Sequence, residues 1–252
     1  MSGKRSKPET GGAGRDMLRS SILILTVMVV SQHANARAHP PTTLRFRPTI
    51  KLRIYNYGIS NTLLLRSEGE ATAIFNHAGL AVRWVDCPLS AEESPSHPGC
   101  MNTMGSTDFT IRILTLRDSQ RIAIRRDALG EALECVGDHS GCSAYIFYRD
   151  VQELARDWDA SESEILGHAL AHEIGHLLLG ANSHSSEGIM RANWGEQELS
   201  TIARAHLFFT DEQSSRMCAE VSALNSEQRH RTQNSAAEGP QEVRNSTDKQ
   251  RK

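Results

Sequence analysis

Alternation and periodicity divide the chain into a strand-rich first half and a helix-rich second half. Lys51-Leu-Arg-Ile-Tyr-Asn-Tyr57 alternates apolar and polar side chains, a period of two that predicts a half-buried strand. Over 61–78, Leu64, Leu65, Ala71, Ile74, Phe75 and Ala78 recur at helical intervals, and Gly79 stands where a C-cap glycine belongs. Gly69 inside that pattern costs about 1 kcal/mol relative to alanine. Ala81–Val85, Phe109–Leu114 and Ser143–Tyr148 read as further strands. Residues 87–106 form a long irregular loop, 115–142 carry no single period, and Val151–Trp158 is a helical turn or short helix.

The longest helix is expected from about Ser161 to Gly180. Ser161-Glu-Ser-Glu164 offers a capping box at its start, and Ile165, Leu166, Leu170, Ile174 and Leu177–Leu179 supply the apolar positions. Glu196–His206 reads as another helix. A second capping box, Thr210-Asp-Glu-Gln213, opens a last one that ends near Leu224. Residues 225–252 are almost wholly polar and charged, which predicts a disordered tail. The element order (strand, helix, three strands, a long helix, then a smaller helical C-terminal part) predicts an α+β fold.

The N-terminus changes the picture before any fold begins. Lys4, Arg5, Lys7, Arg15 and Arg19 precede the apolar run Ile22–Val30, and Ala34-Asn-Ala36 follows as a small-x-small cleavage pattern. That run falls well short of the ~20 residues of a spanning helix, so 1–36 is expected to be a cleaved signal peptide. Residues 1–16 are long for its basic region, and Met17 is an alternative start. Residues 37–49 are a short leader and 50–224 the folded domain. The product is expected to be exported, secreted or periplasmic.

With a net charge of -2 there is no basic face to argue for nucleic acid. No membrane span is expected to be left after cleavage. Export also gives the five cysteines a meaning, since thiols pair outside the cytoplasm. Local pairs Cys87–Cys100 and Cys135–Cys142 are expected, leaving Cys218 odd, although other pairings remain open. No Cys-x-x-Cys occurs to suggest a zinc ribbon.

The chemistry sits in His172-Glu-Ile-Gly-His176. On a helix, residues four apart share a face, so His172 and His176 can both ligate one Zn²⁺. Glu173 lies about 100° round the helix from His172. From there it can reach a water activated at the metal and act as general base without displacing a ligand. That is the His-Glu-x-x-His arrangement of zinc peptidases.

Downstream, Leu177-Leu-Leu-Gly180-Ala-Asn-Ser-His184 leads to Gly188-Ile-Met190. The whole stretch resembles the metzincin clan, especially the matrixin-like zinc peptidases and small exported bacterial proteins with a looser motif. The clan pattern is His-Glu-x-x-His-x-x-Gly-x-x-His followed by a Met-turn. The resemblance implies a mixed twisted sheet with a backing helix, an active-site helix and a small helical C-terminal subdomain. It also implies a catalytic domain over 50–224 that acts on a protein or peptide substrate, and one catalytic zinc held by His172, His176 and His184, with Met190 packed beneath it. This chain stretches the motif by one residue on each side of Gly180, and the strict positions hold Leu179 and Asn182. Position 192, where some clan members place an auxiliary tyrosine, is Ala192. No cysteine lies between 37 and 86, so the matrixin cysteine latch is lacking there.

Competing readings attach to particular residues. A gluzincin-type site would draw its third ligand from Glu196 or Glu198, both equally explained as first-turn acids facing the helix dipole. His168 is expected at the cleft edge or surface, and Trp194 in packing. No Gly-x-Ser-x-Gly supports a serine nucleophile. A non-catalytic exported zinc-binding protein would share the zinc helix but not the need for Glu173, and an exported toxin or effector with one host or competitor target is a third reading.

Overall fold

The structure is a computed structural model that describes residues 47–120, 128–133 and 141–237. In chain order the elements are β1 (Thr49–Asn56), α1 (Asn61–His77), β2 (Ala81–Cys87), α2 (Pro98–Met101), β3 (Asp108–Leu114), α3 (Leu116–Ser119), β4 (Gly130–Leu133), β5 (Ser143–Phe147), α4 (Tyr148–Asp157), α5 (Glu162–Leu179), α6 (Glu196–Ile202) and α7 (Asp211–Ala237). The strands form one five-stranded sheet in the order β2-β1-β3-β5-β4. All pairs are parallel except β4–β5, so the sheet is mixed, as the resemblance implies. The signal segment and most of the leader lie outside the described residues. Among the described residues no helix is long and apolar enough to cross a membrane.

Interior strands explain themselves by composition. On β1 and β3, Ile50, Leu52, Ile54, Ile111 and Ile113 are buried beneath α1 and α5. A parallel strand covered by helices must be apolar there. Register brings Tyr55, Arg112 and Tyr145 side by side on β1, β3 and β5. The Arg112 guanidinium lies over both rings, 5.5 and 5.8 Å from their centres. Arg53, on the other hand, is a charge in the interior. It donates to the carbonyls of Cys100 and Asn102 and pairs with Asp108, which ties the long loop to the sheet. The expected Cys87–Cys100 disulfide closes the same loop. Cys142 is disulfide-bonded; Cys135, its expected partner, lies outside the described residues. Cys218 is a free thiol that donates to the carbonyl of Ala78.

Several boundaries differ from the sequence reading. β1 begins at Thr49, the last residue assigned to the leader. The aperiodic 115–142 contains α3 and β4, each only four residues long and too short to show a period. Ser161 is the N-cap of α5 but makes no capping box. Its hydroxyl bonds that of Ser163 instead, a local side-chain competitor for the cap. The second expected box is formed: Gln213 N–H donates to Thr210 Oγ1, and Thr210 N–H to Gln213 Oε1.

Helix α7 continues through Ala237, into residues expected to be a disordered tail. Among the residues of that helix whose side chains are described, Leu224 is the last buried one. Beyond it, backbone carbonyls accept from polar side chains one turn on, as Asn225 does from Arg229 and Gln228 from Thr232.

The largest change concerns His168. Expected near the surface, it is wholly buried in α5. Its Nδ1–H donates to the carbonyl of Glu164 at 2.7 Å, and its Nε2 accepts the N–H of Leu207 at 3.0 Å. Helix α6 ends at Ile202 rather than at the expected His206, and the second bond ties the segment after it to α5.

The neutral ring of His168 satisfies both partners, whereas a proton on Nε2 would face the Leu207 N–H. Burial holds its pKa down at about 4, with the Glu164 carbonyl opposing and His206 adding to the effect. A folded-state value below the unfolded one of ~6.5 means the unfolded chain binds the extra proton, so stability falls as pH drops from about 6.5 towards 4. In urea unfolding of the metal-free protein, His168→Leu is expected to cost about 1–3 kcal/mol at pH 7.5, mainly from the orphaned Leu207 N–H. The gap to the native protein should narrow by pH 4.5. An equal gap at both pH values would disprove the account.

Candidate metal centre

Helix α5 is buried along most of its length, yet carries His168, His172, Glu173 and His176. His172 and His176 occupy one face, as the spacing of four requires, and their ring centres lie 4.8 Å apart. After Leu179 the chain turns at Gly180, whose φ of +94° falls where a side chain would be strained. The turn returns His184 to the same face, with its Nε2 at 3.1 Å from that of His176. His172 Nε2 is also 3.1 Å from His176 Nε2.

Among the described residues, His172, His176 and His184 form the group whose ligand atoms converge, all within 4.8 Å of one another. They can hold a zinc ion. Tetrahedral zinc with Zn–N bonds of ~2.05 Å needs ligand nitrogens about 3.3 Å apart. The donor set fits for a second reason. His172 Nδ1–H donates to the carbonyl of Ile189 at 2.7 Å. His176 Nδ1–H points to Ser183 Oγ at 3.0 Å and the Gly180 carbonyl at 3.4 Å. With the proton on Nδ1, each Nε2 presents a lone pair. Two such lone pairs 3.1 Å apart repel unless a cation lies between them. Burial lowers the pKa of His172 to about 4, against the Ile189 carbonyl and assisted by His176 and His184. Burial also lowers that of His176. Neutral imidazoles are what a metal requires.

Glu173 packs against β4. Its carboxylate accepts the backbone N–H of Ala132. Gly130, two residues earlier, leaves room for it: a Cβ there would stand 2.6 Å from Glu173 Cγ. Burial raises the Glu173 carboxyl to about 8, the Ala132 N–H opposing and Glu131 adding to the rise. The carboxylate is thus dry, oriented, and next to the pair of ligands.

Met190 is fully buried and its Sδ lies against Gly175, between the two helical ligands. Its neighbour Ile189 is the hinge of the turn. Ile189 O accepts from His172 and also from Trp194 Nε1 at 3.2 Å, while Ile189 N–H donates to Phe208 O. Trp194 therefore does more than pack. Glu198 is buried away from the imidazoles, with one oxygen accepting the Gly195 N–H and the other paired to Arg191. Glu196 is exposed at the start of α6. Neither joins the convergent group, so the gluzincin arrangement does not form.

Ala132, Ser183, Gln213 and the Ile189 carbonyl are the site components that sequence reasoning missed. Ser183 is next to a named ligand and could have been considered. Backbone groups leave no mark in the sequence.

No family model and no curated protein matches the chain. Among solved structures it is similar to a zinc-dependent peptidase from Methanocorpusculum labreanum, at 12% identity and TM-score 0.43, covering 67% of this chain and 99% of that one. It is also similar to archaemetzincin from Methanopyrus kandleri, at 14% identity and TM-score 0.40, covering 69% and 97%. Metalloproteinase-II from Bacteroides fragilis gives 14% identity and TM-score 0.38 over 68% of this chain and 53% of that one. Likenesses of this size carry no inference about chemistry, which rests on the geometry above.

Gly130 and Gly175 give a graded test of the packing. A Cβ at 130 would meet the backbone oxygen of Tyr145 as well as Glu173, each at 2.6 Å; one at 175 would meet Met190 Sδ at 2.6 Å and the Phe209 ring at 2.8 Å. Side chains yield more readily than a strand, so Gly130→Ala should destabilise by about 2–3 kcal/mol and Gly175→Ala by about 1–2 kcal/mol. Urea unfolding of both variants measures this, and the reverse order would contradict the packing described.

Proposed function

We propose that this chain is an exported zinc-dependent endopeptidase, metzincin-like and closest in design to the matrixin-type site, with Glu173 as general base. One observation carries the proposal: the ligand atoms of three imidazoles lie within 4.8 Å of one another, and the helix that bears two of them also bears a buried carboxylate that is not part of the cluster. A structural zinc site needs the imidazoles but has no use for that acid.

His172, His176 and His184 would hold the metal, the first two oriented by the Ile189 carbonyl and Ser183. When bound, zinc supplies a Lewis acid that makes a water acidic near neutrality and polarises a scissile carbonyl. Glu173 takes the proton of the attacking water on its carboxylate and returns it to the leaving amine. The Ala132 N–H holds that carboxylate in place, and its burial keeps the pKa high enough for a proton to be accepted and released near neutral pH. Strand β4 ends the sheet beside Glu173. Phe147 N–H bonds Leu129 O, so in antiparallel alternation the backbone of Gly130 faces the free edge. An extended peptide can pair with that edge, which suits cleavage within a chain rather than at its end.

Export is supported by the basic, apolar and small-residue order of 1–36, and by the Cys87–Cys100 disulfide, a bond favoured in oxidising compartments.

The test is a purified protein assayed on a broad peptide library with its zinc content measured. About one zinc per chain and chelator-sensitive cleavage are expected. Glu173→Gln should retain the metal and lower kcat by roughly 10²–10⁴-fold. His176→Ala and His184→Ala should lose zinc, and Asn182→Ala and Glu196→Ala should keep it. Full hydrolysis by a zinc-loaded Glu173→Gln protein would rule the mechanism out.

A further inference from the structure

The third imidazole is held differently from the first two. His172 and His176 ride on a buried helix, but His184 stands exposed in the segment between α5 and α6. That segment has one isolated bridge, Ser185 to Arg191, as its regular structure. The stretched spacing makes the difficulty worse, because each added residue gives the turn more conformations from which to deliver the ring. Something outside the turn has to fix it.

Gln213 is placed to do so. It lies in the first turn of α7 and is 6% exposed. Its Nε2 donates to Ser185 Oγ at 3.1 Å and lies 3.5 Å from the Ser183 carbonyl. Those are the residues on either side of His184. The amide orientation is fixed from both ends. Thr210 N–H, at 3.0 Å, needs an acceptor and so takes Oε1, while the Ser183 carbonyl accepts only a donor and so takes Nε2. The same Ser183 places its hydroxyl 3.0 Å from His176 Nδ1. One buried side chain thereby reaches two of the three imidazoles through their supports.

We infer that Gln213 is the positioning residue for the third metal ligand: it clamps the two neighbours of His184 to the start of α7, so that the elongated turn presents its imidazole pre-organised. The inference rests on the reading of His172, His176 and His184 as the metal centre. Supporting contacts of this kind usually change metal affinity by 10–100-fold.

The capping role of Gln213 can be separated from the clamp. Gln213→Glu keeps an acceptor for Thr210 N–H and suits a helix N-terminus, but sets a carboxylate oxygen against the Ser183 carbonyl. Thr210→Ala does the opposite, weakening the cap while leaving Nε2 on the turn. Gln213→Met, similar in shape, removes both. Zinc affinity by chelator competition at pH 8 and the melting temperature of the metal-free protein are measured for each.

Gln213→Glu should bind zinc 10–100-fold more weakly and, with a buried carboxylate oxygen left against the Ser183 carbonyl, melt below the native protein. Gln213→Met should show the same loss of affinity with a lower melting temperature. Thr210→Ala should melt lower and bind zinc within about threefold of native. If Gln213→Glu and Gln213→Met bind zinc as tightly as native, or Thr210→Ala loses as much affinity as they do, the clamp is overturned and the metal centre stands. If the native protein binds no zinc, or His172→Ala binds it equally well, the metal centre itself fails and the clamp with it.

Discussion

A helix buried on nearly every side can carry polar side chains only where each polar atom has a partner, because an unpartnered one costs about 1–3 kcal/mol. Helix α5 carries four such side chains, and the tertiary structure is arranged around them. His168 spends both ring nitrogens on backbone groups and is left with no chemistry. His172 spends one on Ile189, and His176 directs one at Ser183. Glu173 takes the Ala132 N–H. What remains unspent is a set of Nε2 lone pairs on one face and a carboxylate on another. The site is the residue of this accounting, which is why its shape depends on elements far from it in sequence.

Three parts of the chain supply those partners. The antiparallel strand β4 brings an N–H to Glu173, and Gly130 lets the strand approach closely enough. The Ile189–Met190 turn contributes a carbonyl above and a thioether below the same stretch of α5. The segment before α7 fixes that turn through Phe208, and the first turn of α7 bonds a flank of His184 through Gln213. Each support is itself supported: Trp194 shares the Ile189 carbonyl, and Thr210 orients Gln213. Such layering holds ligand positions to a fraction of an ångström, which a loop alone does not achieve.

The legible and illegible parts of the molecule divide on physical grounds. Long elements declared themselves: α1, α5 and strands β1, β2, β3 and β5 follow from periods of 3.6 and 2 repeated several times. Strand β4, with four residues, had too few repeats to be recognised, although it contributes most to the surroundings of Glu173. The tail beyond Leu224 misled in the other direction. Its polarity forecasts the lack of packing, but helical hydrogen bonds do not need packing to continue from a well-formed helix. His168 shows the limit of spacing arguments, since i and i+4 place it on the ligand face in sequence while its actual partners come from Glu164 and from Leu207.

By itself the sequence pointed to the pair His172 and His176 on one helix face, to Glu173 as the candidate base, to the stretched turn with His184 and Met190, and to the disulfide between Cys87 and Cys100. These are consequences of helical geometry and local chain length, which a short stretch of residues sets without help. Only the tertiary structure decided which histidines keep a free nitrogen, which atom orients each, and what brings His184 back to the face of α5. The reason is that those partners are mostly backbone carbonyls and N–H groups. Every residue has them, so composition cannot distinguish the ones that matter; the fold selects them by placing β4, Ile189 and α7 against one buried helix.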